Sequence, residues 1–233
     1  MVDIDGDAVL ALWNGVEASR RREYDLWHTR EHVPERIAVP GMNGARRYVR
    51  ASGPLPEFLT LYAMEDTGVL QSEPYRKLLD NPTAWSRSMR PSFRGFLRLC
   101  CQRLFSLGGG LGTCLAAIVV DDAIDLRAPA VRDGLQTLVT QDAIVAVHVL
   151  ERDRNVPDVP FQIGGERPDF PDNGAIFIEG FDAAELTASM PDIAACLAGL
   201  GMADKSLTLY NLAYALDRAS LRRIVTRSMP EAR

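Results

Sequence analysis

The order of elements along the chain repeats. Short apolar runs alternate with helical stretches in the order β-α-β-β-α-β. The same order returns after a glycine-rich joint, Ser106-Leu107-Gly108-Gly109-Gly110-Leu111-Gly112. In the first half, residues 9–14 read as a strand. Ser19, with Glu23 close behind, reads as the cap of a helix running toward Val39, and Pro40-Gly41 ends it. Residues 46–51 and 58–64 read as strands paired across a Gly/Pro turn. A second helix covers 69–79, a short segment follows at 85–89, and 93–107 reads as a long strand. In the second half, 113–120, 143–150, 175–181 and 207–216 read as strands. A helix over 130–140 starts near Pro129, and one over 182–197 is capped by Asp182 and interrupted by Pro191. Residues 152–173 carry Pro157, Pro160, Pro168 and Pro171 and read as a long loop, a kind of segment that is usually functional or mobile. The joint meets neither the G-x-G-x-x-G spacing nor a phosphate-loop pattern, and its glycines supply backbone freedom.

Each β-α-β-β-α-β unit is a split-βαβ, ferredoxin-like arrangement: four strands with helices on one face. The bare face of such a sheet must be covered, and a second sheet covers it. The expected fold is therefore α+β, with two tandem ferredoxin-like halves packed sheet to sheet as a pseudo-dimeric α/β barrel. The expected division is residues 1–107, carrying the His/Glu helix, and residues 108–233, carrying the long Pro-rich loop.

Composition narrows the function classes. The net charge of −5 argues against a nucleic-acid grip. Residues 1–106 hold 15 Lys+Arg against 13 Asp+Glu, a slight cationic surplus that suits a small anion. Cys100, Cys101, Cys114 and Cys196 form no C-x-x-C and suit reduced, packed thiols in a cytoplasmic protein. The acidic N-terminus lacks the apolar core of a signal peptide, and no apolar run reaches the roughly 18 residues of a membrane span. The expected partner is a small-molecule substrate, with no nucleic acid and no membrane, and with surface left over for a homo-oligomer.

Chemistry concentrates in residues 24–35. Two of the three histidines, His28 and His32, sit four apart with Glu31 and Glu35. At 100° per residue, Leu26, Val33 and Ile37 form one apolar stripe, and His28, Glu31, His32 and Glu35 share a polar wedge. Pro34 removes the hydrogen bond back to Arg30 and bends the helix beside His32. Three explanations compete. His28, Glu31 and His32 match the inverted zinc-protease pattern H-x-x-E-H, but Pro34 disturbs the helix just after the second ligand, and no metal is expected. The histidines also suit proton transfer near neutral pH, with a carboxylate to orient the ring. Or they form ion pairs with Glu31, Glu35 and Arg36 on a helix surface. His148, inside an apolar strand, reads as a core histidine, and Trp13-Asn14 as either cavity lining or a turn.

The pattern Trp27-His28-x-x-Glu31-His32-x-Pro34, then Pro40-Gly41, then Arg46-Arg47-Tyr48 entering a strand, resembles the dimeric α/β-barrel superfamily of ferredoxin-like proteins. That group holds EthD-like proteins, antibiotic-biosynthesis monooxygenases, muconolactone isomerases and polyketide cyclases. The resemblance covers about the first 65 residues and extends to the rest only through the order of elements. The resemblance bears on the fold; the His/Glu wedge beside basic and aromatic strand residues suits a cofactor-independent lyase or isomerase acting on a small, anionic carbonyl compound by elimination, hydration, isomerisation or cyclisation. The alternative is a non-catalytic small-molecule-binding or stress-related protein of the same fold. In the catalytic reading His32 is the base, His28 its helper or the acid, Glu31 the residue that orients an imidazole, and Tyr62 a hydrogen-bond donor. Arg47 grips the anion, and Trp27, Tyr48 and Trp85 contact the substrate. The second half has no His-rich helix, so the site is expected in the first.

Overall fold

Three strands, β3 (Phe58–Met64), β5 (Cys114–Val120) and β7 (Gly174–Gly180), are buried along their whole length. A strand buried on both faces needs a layer on each side, and that requirement sets the architecture. The computed structural model describes residues 6–157 and 173–221. With β1 (Ala8–Val16), β2 (Met42–Ser52), β4 (Phe93–Gly108), β6 (Ile144–Arg152) and β8 (Thr208–Asp217), these strands close an antiparallel barrel in the order β1-β3-β2-β8-β5-β7-β6-β4. Each half contributes four neighbouring strands. The two seams, β4 with β6 and β2 with β8, both join the fourth strand of one half to the second strand of the other. The arrangement is a pseudo-dimer within one chain.

Side-chain alternation separates two environments. Trp13, Tyr48, Leu59, Leu97, Phe177 and Tyr210 point inward and fill the barrel. Trp13 and Phe177 pack with ring centroids 6.0 Å apart, and the Tyr210 hydroxyl donates to the Pro56 carbonyl at 2.7 Å. The alternate residues face outward under helices. On the first half these are α1 (Arg21–Trp27), a π-helical turn (His28–His32), α2 (Val33–Ala38), α3 (Glu73–Asp80) and α4 (Ala84–Met89). On the second half they are α5 (Pro129–Gln136), α6 (Ala183–Ala188) and α7 (Met190–Gly199).

The observed elements follow the expected order with local differences. Ser19 does not cap the first helix. It lies inside a 3₁₀ turn, Ala18–Arg20, and α1 begins two residues later without a side-chain cap. The 69–79 stretch is divided, with a 3₁₀ turn over Thr67–Gln71 and then α3, because Ser72 caps the Tyr75 amide and opens a new helix. Asp182 does cap α6, accepting from the Ala184 and Glu185 amides at 2.8 and 3.0 Å. Pro191 sits in the first turn of α7, where its missing N–H is no loss. Most of the long Pro-rich loop lies outside the described residues. At the joint, Gly108 has φ +72° and a Cβ there would lie 2.3 Å from the Val145 carbonyl oxygen, so the β4–β6 seam demands glycine.

One ionic cluster interrupts the apolar interior. Arg46 on β2 meets Glu179 on β7 at 2.5 Å, and the two residues are 2% and 0% exposed. Glu179 also accepts from the Gly112 amide at 2.7 Å and pairs with His148 Nε2 at 3.2 Å, while His148 Nδ1 lies 2.8 Å from the Ser106 hydroxyl. Burial pushes the Glu179 carboxyl up. The His148 hydrogen bond, the Arg46 charge and the Gly112 amide outweigh it and hold the carboxyl below its usual range.

Removing one partner leaves the other charge buried. Glu179→Ala is expected to cost about 3–5 kcal/mol in urea unfolding. The double variant Arg46→Met/Glu179→Leu should recover most of that loss; a single-variant loss within error of zero would show that the pair holds nothing together. Because the folded carboxyl titrates below its unfolded value of about 4.3, its stabilisation is fully present above that value and is lost as pH falls through the folded value. Unfolding followed from neutral pH into acid should show a shallower acid loss in Glu179→Gln than in the wild type.

Candidate active site

The first helix departs from regular α-helical geometry. Between α1 and α2 the backbone widens into the π turn His28–His32, and the Val33 amide bonds back to the His28 carbonyl, five residues earlier. Pro34 is the local cause: it has no N–H for the Arg30 carbonyl, and its ring crowds that oxygen in a regular helix. The extra residue per turn changes which side chains face the sheet. His28, His32 and Arg36 turn inward over the outer face of β1 and β3. Glu31 turns sideways toward α4 and accepts hydroxyl hydrogens from Thr83 at 2.5 Å and Ser86 at 3.3 Å.

The three inward residues line a cavity between this helix and the sheet, with Trp27, Thr60 and Phe93 among its other walls. His28 Nε2 lies 3.3 Å from the Thr60 hydroxyl. The Nδ1 atoms of both histidines are buried with no hydrogen-bond partner among the described residues. The His32 ring lies on the Trp27 indole, centroids 4.3 Å apart and planes 31° apart, and the two imidazoles are 5.5 Å apart. Trp27 is fixed from behind: its indole N–H donates to Ser86 Oγ at 3.2 Å, and Ser86 in turn donates to Glu31. Tyr24 donates to Asn14 Oδ1 at 3.1 Å, and burial pushes its phenol up to about 12, so it stays protonated.

Electrostatics fix the protonation of the histidines. Burial lowers the pKa of His28 well below its usual value, and the Arg47 and Arg36 charges lower it further. Burial does the same to His32, aided by Arg36, His28 and Arg90. Both imidazoles are neutral at pH 7 and available as proton acceptors.

The structure gathers only part of the expected set. His28, His32 and Trp27 share the cavity. Glu31 orients no imidazole; it braces Trp27 through Ser86. Tyr62 is buried in the layer between sheet and helix and is not part of the cavity wall. Arg47 is 4% exposed, ion-paired with Asp25, and stacked over Tyr24 and Phe58 at 5.1 and 4.9 Å. Its role is local packing and charge, not a free grip. Tyr48 points into the filled barrel on the opposite face of the sheet. Trp85 donates to Glu23 at 3.1 Å and packs beside Met89, outside the cavity. Of the Trp13-Asn14 pair, Asn14 lines the cavity and Trp13 fills the barrel. The residue that sequence reasoning passed over is Arg36. Its signal was present, since it continues the four-residue spacing of His28 and His32.

The corresponding layer of the second half is apolar. Leu126, Leu135, Ile176, Leu186, Ile193 and Leu197 pack within it. A Cβ at Gly180 would lie only 3.0 Å from that of Leu186, so even the backbone there is closely covered. Among the described residues no group of three or more His, Cys, Asp or Glu is placed to hold a metal ion, and no helix is long and apolar enough to cross a membrane.

Comparison with solved structures places this geometry among known folds. The chain is similar to an anthrone oxidase-like protein, with TM-score 0.64, 10% identity, and 93% of this chain and 96% of that one covered. It is also similar to a proposed monooxygenase from Fusobacterium nucleatum subsp. nucleatum (TM-score 0.57, 10% identity, 91% and 95% covered). A third is a heme-binding protein from Thermus thermophilus (TM-score 0.51, 12% identity, 95% of each chain covered). Neither a protein-family model nor a curated protein sequence matches the chain. At these identities the likeness is one of fold, and the chain has the ferredoxin-like, pseudo-dimeric α/β-barrel fold of these monooxygenase-like proteins.

Proposed function

We propose that the first-half cavity carries out cofactor-independent proton transfer on a small, anionic carbonyl compound, a lyase- or isomerase-type reaction through an enolate. The observation that carries this reading is the pairing of two neutral imidazoles with a buried guanidinium in one cavity. His32 takes the proton from the carbon beside the carbonyl. Its Nδ1 has no competing partner, and Trp27 holds its ring. The imidazolium so formed on His32 returns the proton to the neighbouring carbon or to the enolate oxygen, and neutral His28, hydrogen-bonded to Thr60, stands beside it with the rings 5.5 Å apart. Arg36 stabilises the negative charge that spreads onto the carbonyl oxygen.

A heme does not fit. The cavity volume is about 70 Å³, where one buried water needs roughly 10–15 Å³ on the same measure. That space is far below a tetrapyrrole, and no step is derived through one.

Proton transfer from carbon is measurable without knowing the physiological product. Phenylpyruvate in D₂O should exchange its benzylic hydrogens faster with the wild-type protein than in buffer, as followed by proton NMR. His32→Gln should lower the protein-dependent rate by about 10²–10⁴-fold. Exchange at the buffer rate with wild type, or an unchanged rate in the His28→Gln/His32→Gln protein, would remove the proposal. The pH dependence has a fixed sign. A base whose imidazolium is destabilised stays neutral to low pH, so the acid limb of the rate should lie below the usual histidine range near pH 6.5. A limb at or above that range would contradict the assigned environment.

A further inference from the structure

Among the buried arginines, Arg36 stands apart in its pairing. Arg46 meets Glu179, and Arg47 meets Asp25. Arg36 is 7% exposed, yet among the described residues no carboxylate lies within ion-pair distance of it and no acceptor takes its hydrogens; its contact is the Tyr75 ring, 5.8 Å from the guanidinium carbon to the centroid. A guanidinium does not shed its proton, and a buried charge without a counter-ion is costly. Arg90 and Arg98 also line the cavity it faces, and no aspartate or glutamate does. Glu35, its neighbour in sequence, feels its charge without pairing with it, and Glu31 is occupied by Thr83 and Ser86.

Size and shape narrow the occupant. The cavity volume of about 70 Å³ is several times that of one buried water, which limits the occupant to a small molecule of one ring at most. Trp27, Phe93 and Phe96 give it flat apolar walls, and the Tyr75 ring lies beside Arg36. The planar fork of a guanidinium matches two carboxylate oxygens at once.

We propose that Arg36 is the seat of a ligand carboxylate and that the cavity selects monocyclic carboxylates, the ring lying against Trp27 and the phenylalanines. This names the substrate class of the same cavity. That the bound carboxylate is turned over rests on the proton-transfer reading, whereas the binding does not.

The test separates the two. Benzoate has no hydrogen on carbon beside a carbonyl and cannot react by the proposed route, so its binding reports the seat alone. Isothermal titration at neutral pH should give benzoate at least about tenfold tighter binding than its neutral isostere benzamide. Arg36→Met should abolish that preference while leaving benzamide unchanged, and Arg36→Lys, which keeps the charge but loses the fork, should retain part of it. Equal affinity for the two ligands in the wild type, including no saturable binding of either, overturns the proposal. So does an Arg36→Met protein that binds benzoate as the wild type does. Should Arg36→Met fail to fold, the wild-type ligand pair and Arg36→Lys decide. Charge-selective benzoate binding without phenylpyruvate exchange would leave the seat standing and discard the chemistry.

Discussion

The ion pair between Arg46 and Glu179 is the constraint on which the rest of the molecule is arranged. It spans 133 residues of sequence and crosses from one half of the barrel to the other in the buried interior. A closed barrel built from two sheets could be filled entirely with apolar side chains, and most of this one is. A charged pair is less forgiving: it demands both partners, in register, on strands brought close only by closure. His148 and Ser106 extend the same network to the β4–β6 seam. With the interior occupied by this cluster and by large rings, the space left for a small molecule is outside the barrel, between sheet and helices.

That outer layer is duplicated in outline and not in content. In the second half the corresponding first helix, α5 with the turn after it, sends Val131, Leu135 and Leu138 into the apolar layer over the sheet. In the first half that helix presents His28, His32 and Arg36, none of which can fill an apolar layer without leaving polar atoms unsatisfied. The packed half supplies stability, and the polar half carries the unfavourable groups that a site requires. Such division is what a protein with one functional site per duplicated fold is expected to show.

Much of the fold was legible because its signals are local. Alternation and apolar runs mark the strands, and Asp182 and the joint glycines mark real boundaries. The site was legible only in part, and the residues show why. On β2 the stretch Arg46-Arg47-Tyr48 gives three polar-tipped side chains in a row. Alternation sends Arg46 and Tyr48 into the barrel and Arg47 outward. Whether an arginine is free then depends on Glu179 and Asp25, which no local pattern connects to it. On the first helix a uniform 100° rotation grouped both glutamates with both histidines. The π turn before Pro34 breaks that rotation, turning Glu31 toward α4 and leaving the histidines with Arg36. Pro34 announced a disturbance; the direction in which the side chains were redistributed came from packing.

The combination of neutral imidazoles with an adjacent guanidinium carries an internal tension. The charge that stabilises an enolate also disfavours the imidazolium formed when His32 accepts the proton. Charge balance resolves it. At an effective dielectric constant of about 20, two unit charges about 4 Å apart interact by about 4 kcal/mol. Arg36 lies one helical turn from His32 and its charge disfavours the imidazolium, whereas an enolate in contact with both attracts each cation as it forms. A neutral ligand supplies no such compensation. Selection for charge and promotion of proton transfer are thus one electrostatic property of this cavity, set by how closely a ligand approaches Arg36.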